Sequence, residues 1–530
     1  MTPSYKSEEL SIVYGPTDQP LWEKTLATLI REQAQRFGSK PAVIVPWQNA
    51  TLSYNDLLQR GLLIARSILA AGIKHGDCVG ILAGNCYEYL EVVLGAGYIG
   101  CPTVVLNNTY TSKELQSALS RTSCKLLFIT PNLKNRDLTG HVQSALHATE
   151  TTNDPSELQI VTFGQPPSVL RSPLVQSYSS FIYSTPLTSE ELASIDRESA
   201  RVQPNDVINL QFTSGTTGAP KAAMLTHRNI TNNARHVGAR LALSPSSTIC
   251  SPPPLFHCFG LVMGFLASLA HGATLVLPSE TFDARAALAA VVTHACTVLL
   301  GVPTMLLAAL DCAPSAAVRQ RRLVVLAAGS VVPVALARRL EREMGVRRVV
   351  VAYGMTETSP VSFMGDARGE RGVVAGSLGR VMPHTGAKVV GVGDGRVVRR
   401  GERGELWTSG YGVMRGYWGD EGATGGVMKA DADGRVWMRT GDECVIDGEG
   451  LCYITGRIKD LIIRGGENIS PVEIEERLLA HPMISEVSVV GIRDERFGEV
   501  VGCFLRSVRP ELGTGELGTT QGAAVGVLDW

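Results

Sequence analysis

The 530-residue chain carries 49 Lys and Arg against 50 Asp and Glu, a formal net charge of −1, and 44% hydrophobic residues. Length and apolar content predict three or four domains with real cores and exclude wholesale disorder. The balanced charge excludes a dedicated nucleic-acid binder, whose phosphate contacts need clustered Lys and Arg, so small-molecule partners are expected.

In chain order, the opening MTPSYKSEELSIVYG has no basic segment followed by an apolar run, and no secretory signal is read there. From Trp22 to Ala200, amphipathic helical stretches such as LQRGLLIARSILAAGI alternate with short apolar runs such as CVGIL and KLLFI. That alternation predicts a mostly parallel sheet covered by helices. The rhythm continues through ATLVL (273–277), TVLLG (297–301), RLVVLAAG (322–329) and RVVVAYG (348–354), whose Gly-ended runs put loops at strand ends, where open α/β sheets place ligands. The longest apolar stretch, Cys258 to Ala270, is too short to span a bilayer, so no membrane span is expected. Residues 391–456 turn to Gly, Val and Arg in hairpin-like units, GVGDGRVV and ERGELW, and predict a small β subdomain. The main domain boundary is expected at 456/457. Eleven cysteines without a Cys-x-x-Cys pair predict a reducing, intracellular compartment, with the cytoplasm favoured, and no zinc site. The C-terminus Val527-Leu528-Asp529-Trp530 carries neither a peroxisomal nor a prenylation address.

The strongest chemical signal is INLQFTSGTTGAPKAAMLTHRN, Ile208 to Asn229. An apolar strand delivers the chain into Thr213, Ser214, Gly215, Thr216, Thr217 and Gly218, and Ala219-Pro220-Lys221 is expected to lead into a helix. Glycines let backbone N–H groups converge on an anion, hydroxyls add donors, and Lys221 neutralises phosphate charge, which describes a polyphosphate cradle. It is not a Walker loop, because Pro220 precedes the lysine and Ala222 follows it.

This segment resembles the phosphate-binding signature of the adenylate-forming superfamily, and further segments match that family in order. Leu52-Ser53-Tyr54 and His75-Gly76-Asp77 resemble its early core motifs, PLFHCFG (254–260) the segment beside the acyl site, and AYGMTETSP (352–360) the adenine and magnesium motif. RTGD (439–442) resembles the ribose motif and GRIKDLIIRGGENISPVEIE (456–475) the hinge, and the wording is closest to medium-chain acyl-CoA synthetases. The resemblance spans Trp22 to Leu505. It implies an α/β fold with a large N-terminal body, 1–456, made of two α/β sheets plus the small β subdomain. A small, mobile α+β C-terminal domain, 457–506, truncated or divergent relative to the family, would follow.

The implied activity is attack of a carboxylate on the α-phosphate of ATP, giving acyl-AMP and pyrophosphate, followed by transfer of the acyl group to coenzyme A. The resemblance implies that Lys221 and the 213–218 loop hold the β- and γ-phosphates, that Glu357 binds Mg²⁺, and that Thr356 supports the α-phosphate. Asp442 would accept the ribose hydroxyls with Arg457 donating nearby. Tyr353 and Gly354 would lie against adenine, with Gly329-Ser330-Val331 as the opposite wall, and His257 would screen the carboxylate site from the thiol channel. Taken singly, Glu357 and Asp442 would read as solvated loop carboxylates and Tyr353 as a strand-end aromatic; the shared order of the motifs gives them their roles. The C-terminal domain would rotate about Lys459, and Gly465, Gly466 and Glu467 would form the pantetheine tunnel. A carrier-protein thiol is the alternative acceptor, and a lid-deficient nucleotide-binding protein the alternative from another class.

The sequence departs from the family in one respect. Only eleven of its basic residues are lysines, and none follows Lys459, whereas the family places an adenylation lysine near the end of the C-terminal domain. A cation missing from a developing negative charge costs on the order of 3 kcal/mol, so autonomous adenylation by this chain is expected to be slow. Residues 507–530, with ELGT twice and five glycines from Glu511 on, are expected to be a disordered tail, either native or from a changed reading frame.

Overall fold

The early helices start where side chains satisfy their first backbone N–H groups. Ser53, Thr111 and Thr188 each cap a helix reciprocally with the acid three residues on, Asp56, Glu114 and Glu191. A computed structural model describes residues 9–150, 158–168, 172–183, 185–213, 220–369, 376–464, 467–479, 481, 483–494 and 496–507. In it, the helical stretch read from Leu58 on is the helix Tyr54–Ala70, and Tyr54 donates from its hydroxyl to the Ala273 carbonyl at 2.7 Å. The Leu52-Ser53-Tyr54 motif is thus a cap and an anchor.

Two large sheets carry the N-terminal body. The first has seven strands, and the runs Val79–Leu82, Thr103–Val105, Leu126–Ile129, Gln159–Thr162 and Val175–Ser177 pair in parallel. Strand Val207–Thr213 joins them in parallel and then pairs antiparallel with Lys221–Thr226 at the sheet edge. The second has nine strands. Its centre is parallel, from Arg348–Gly354 through Val324–Ala327, Val298–Gly301, Thr248–Cys250 and Thr274–Val276 to Pro41–Val45, with antiparallel strands at both edges. Helices cover these sheets, as the helix–strand alternation predicts, and their central strands are buried Val, Leu and Ile.

A third sheet collects Gly404–Gly410, Met428–Ala430, Val436–Ile446 and Cys452–Arg457. It also draws in Thr385–Val390 and Ile12–Tyr14, both outside the 391–456 range expected for a β subdomain, because Thr385–Val390 pairs along its whole length with Gly404–Gly410. GVGDGRVV forms a short hairpin turn, with an antiparallel bridge from Val390 to Val397. After Arg457 the chain leaves this sheet through a short 3₁₀ turn, Ile458–Asp460, and enters a four-stranded antiparallel sheet of Ile462–Arg464, Glu467–Ile469, Ile484–Asp494 and Gly498–Ser507 against the helix Pro471–Leu479. This is the small α+β unit. Of the expected tail, Ser507 closes the last strand and 508–530 lie outside the described residues. No helix of the described residues is long and apolar enough to cross a membrane.

One buried acid in this scaffold carries a stability signature. Glu91 is 1% exposed on the helix Tyr87–Tyr98, bonded to the Tyr178 hydroxyl and to Arg60 at 2.9 Å. Burial pushes its carboxyl from 4.5 up to about 7, with Arg60 and Tyr178 pulling the other way. The folded chain then binds this proton more tightly than the unfolded chain, so the contribution is full below 4.5 and is lost as pH rises through 7. The loss is on the order of 3 kcal/mol. Thermal melting is expected to fall between pH 5 and 7.5 and to flatten in Glu91→Gln; equal slopes in the two proteins would reject the assignment.

Candidate active site

Strand Val207–Thr213 ends where the polar loop begins, and Thr213 faces Lys221 directly across the antiparallel pair, its hydroxyl donating to the Lys221 carbonyl at 3.4 Å. Lys221 therefore opens a strand, Lys221–Thr226, where a helix was expected. Ala222 and Ala223 extend because they pair with Phe212 and Gln211; the helix waits until His227–Arg240, where Thr226 and Asn229 cap each other's backbone N–H. Ser214, Gly215, Thr216, Thr217 and Gly218 lie outside the described residues, as do Gly465 and Gly466. Glu467 is placed by its backbone, paired with Arg464.

A second chemical segment follows strand Arg348–Gly354. The chain turns through Thr356–Thr358, a single 3₁₀ turn, which buries Glu357 to 5% exposure and leaves Thr356 half-buried beside it. The Tyr417 hydroxyl donates to Glu357 Oε1 at 2.8 Å, while Oε2 has no hydrogen bond among the described residues. Burial and the adjacent carboxylate raise the Tyr417 phenol, so it stays a donor. The Lys221 ammonium lies 5.3 Å from the centroid of the same ring. Lys221 and Glu357, far apart in sequence, thus meet on the ring and the hydroxyl of one tyrosine. Among the described residues no three His, Cys, Asp or Glu side chains cluster as a ready-made metal site. A hard cation at Glu357 would therefore complete its shell with water and phosphate oxygens, as magnesium does beside nucleotides.

The other predicted residues line one cavity of about 710 Å³, bounded by Gly329, Ser330, Val331, Tyr353, Gly354, Asp442, Arg457 and Lys459 and, from the C-terminal sheet and helix, by Glu475 and Ser488–Gly491. Tyr353 donates to Asp442 Oδ2 at 2.7 Å, and Arg457 holds Oδ1 at 3.2 Å. Burial raises the Asp442 carboxyl while Tyr353 and Arg457 pull it down. Gly329 follows strand Val324–Ala327 at φ +91, a left-handed conformation that favours glycine. Gly354 joins this cavity to Glu357 along three residues of chain. Lys459 is exposed on the short turn between the two sheets.

His257 stands apart from the cavity. It precedes a π-helix, Phe259–Leu266, a rare geometry frequent at functional sites. Its ring packs on Phe256 at 4.6 Å and reaches solvent, and the surrounding protein holds its pKa below the ordinary imidazole value. Its neighbour Cys258 donates to Gln211 Oε1 at 3.0 Å, which ties the π-helix to the strand of Thr213. Gln211 and Tyr417 were not singled out by sequence. The wording of QFTSGTTG gives its Gln no role of its own, and RGYWGD sits in a Gly-rich stretch without periodicity.

A model of the AMP-binding enzyme family matches residues 30–418. The chain belongs to that family. Among relatives, an acyl-CoA ligase SID4 of Ajellomyces capsulatus is 44% identical over 94% of this chain and 84% of its own length. An acyl-CoA ligase sidI of Aspergillus fumigatus is 43% identical over 95% and 85%. The mouse medium-chain acyl-CoA ligase ACSF2, a mitochondrial protein, is 35% identical over 96% and 83%. Within the family, the chain is thus an acid–thiol ligase of the AMP-forming acyl-CoA ligase type. The fold is shared with an anthranilate CoA ligase solved with anthranoyl-AMP, at TM-score 0.79 and 22% identity over 93% of this chain and 88% of that one.

Proposed function

We propose that this chain activates a medium-chain carboxylic acid with ATP and passes the acyl group to coenzyme A through the two regions just described. The observation that carries the reading is the Tyr353–Asp442–Arg457 set facing Gly329 and Ser330 across one cavity, with Gly354 leading directly to Glu357. Asp442 would accept the ribose hydroxyls, and Tyr353 with Gly354 and the Gly329–Val331 turn would enclose adenine. Residues 213–218 and Lys221 would hold the polyphosphate, with Thr356 beside the α-phosphate. Glu357 would hold Mg²⁺, which when bound neutralises charge on the phosphates.

A carboxylate oxygen then bonds to the α-phosphorus as the bond to pyrophosphate breaks. In the second half the thiolate bonds to the acyl carbonyl and AMP leaves. His257 would separate the two reactants' channels. Residues 457–506 would turn on Lys459 to bring Gly465, Gly466 and Glu467 to the thiol, with 1–456 as the fixed body. The medium-chain preference is supported by the likeness to the mouse ligase. Carboxylate-dependent ATP–pyrophosphate exchange across straight-chain, branched and aromatic acids, followed by thioester formation with coenzyme A or a carrier protein, tests the reading. Exchange with no acid in the panel would sink it, and transfer only to a carrier protein would correct the acceptor.

Asp442→Ala is expected to weaken AMP binding by roughly ten- to a hundredfold, because hydrogen bonds to a charged acceptor contribute about 1.5–3 kcal/mol. Calorimetric titration checks this, with 2′-deoxy-AMP as the second ligand. Wild type should favour AMP over the deoxy analogue and the variant should not; unchanged discrimination would remove Asp442 from the ribose site.

A further inference from the structure

Tyr417 is held by both halves of the phosphate region. Residues 414–418 run beside the strand Lys221–Thr226 as an added edge: Met224 N–H donates to Gly416 O at 2.9 Å, Arg415 N–H to Met224 O at 2.9 Å, and Trp418 N–H to Ala222 O at 2.8 Å, with Ala223 bridged to Tyr417. The same segment clamps the acidic turn, because Met414 N–H donates to the Glu357 carbonyl at 2.9 Å. The backbone of Tyr417 is pinned in turn by the Thr424 hydroxyl at 2.9 Å. The side chain is 7% exposed, with its hydroxyl on Glu357 and one face toward Lys221.

An ammonium and a carboxylate that both contact one ring attract each other, more strongly as the site is shielded from water. Direct pairing would occupy both groups, and a nucleotide would have to break the pair before binding. Yet among the described residues Lys221 makes no ion pair; it and Glu357 each contact Tyr417 instead. We propose that Tyr417 is a positioning residue that keeps the phosphate lysine and the metal carboxylate apart and aimed, its hydroxyl fixing one oxygen of Glu357 and its ring holding the ammonium of Lys221. The proposal rests on the roles given above to Lys221 and Glu357. The phenol leaves Oε2 for a cation, and the ring contact releases Lys221 to a phosphate at small cost, since a cation–π contact is weaker than a buried ion pair.

The two functions of the side chain separate by substitution. Tyr417→Phe keeps the ring and removes the hydroxyl, and Tyr417→Leu removes both. ATP affinity is measured by calorimetry in EDTA and at stepped Mg²⁺, and the KM for the acid is measured alongside. In Tyr417→Phe the Mg²⁺ midpoint is expected to rise roughly tenfold, as for loss of one charge-assisted hydrogen bond. Metal-free ATP binding and the KM for the acid should stay within about twofold, the scatter of a site left intact. In Tyr417→Leu, metal-free ATP binding should weaken as well. A Tyr417→Phe midpoint equal to wild type overturns the proposal, and so does equal weakening of metal-free ATP, Mg²⁺-dependent ATP and acid, which marks a merely structural residue. Glu357→Gln distinguishes the failures. If its midpoint does not move, both the metal reading of Glu357 and the proposal fall; if it moves and that of Tyr417→Phe does not, only the proposal falls.

Discussion

Replacing Lys221 with methionine is expected to lower carboxylate-dependent ATP–pyrophosphate exchange by roughly a hundred- to a thousandfold, the usual consequence of removing one preorganised charge from a phosphoryl-transfer site. Methionine keeps the length and apolar stem of the side chain and removes only the charge. The backbone pairing of residue 221 with Thr213 does not depend on the side chain, so the pairing should survive. Melting temperature should stay within about 2 °C, as for most substitutions outside a packed core. Thioester formation from synthetic acyl-AMP needs no polyphosphate and should be nearly unaffected. Equal loss in both half-reactions would mean that Lys221 supports the fold or the acid site instead.

The second large effect is expected at Gly354. A Cβ there would lie 1.8 Å from the Pro360 carbonyl oxygen and 2.7 Å from its carbon, both backbone atoms. That oxygen accepts from Met355 N–H at 3.0 Å and from the Thr358 hydroxyl at 2.5 Å, so it shapes the turn that carries Thr356 and Glu357. Gly354→Ala must push the two strands apart, a strain of about 3 kcal/mol. It should lower the melting temperature by several degrees and reduce exchange by at least a hundredfold, since even small misplacement at a reacting centre costs that much. Gly425→Ala is the matched control, because its added methyl meets no atom within 4 Å. A Gly354→Ala protein that melts and exchanges like this control would show that the close approach relaxes freely.

What could be read from the sequence follows from what is local. Buried parallel strands are short Val-, Leu- and Ile-rich runs, so CVGIL, KLLFI, TVLLG and RVVVAYG appear as strands within a residue or two. The order of the motifs likewise points to Tyr353, Asp442 and Arg457, which meet in one hydrogen-bonded set. The helix expected after Lys221 failed because the alanines there suit a helix in isolation, whereas pairing with Val207–Thr213 decides their conformation. Tyr417 escaped for a related reason. Its neighbours are Gly416, Trp418 and Gly419, a stretch with no period, and its meaning lies in bonds to residues 60 and nearly 200 positions earlier.

The edge formed by residues 414–418 also bears on how the site opens. An edge strand by itself frays, and a lysine at the start of one would be expected to loosen independently of the acidic turn. Here three backbone hydrogen bonds stitch that edge to the same segment that bonds to the Glu357 carbonyl. Opening either part exposes bonds of the other, so the lysine strand and the carboxylate turn belong to one cooperative unit. The free-energy gap that protects one from local unfolding is then expected to protect the other.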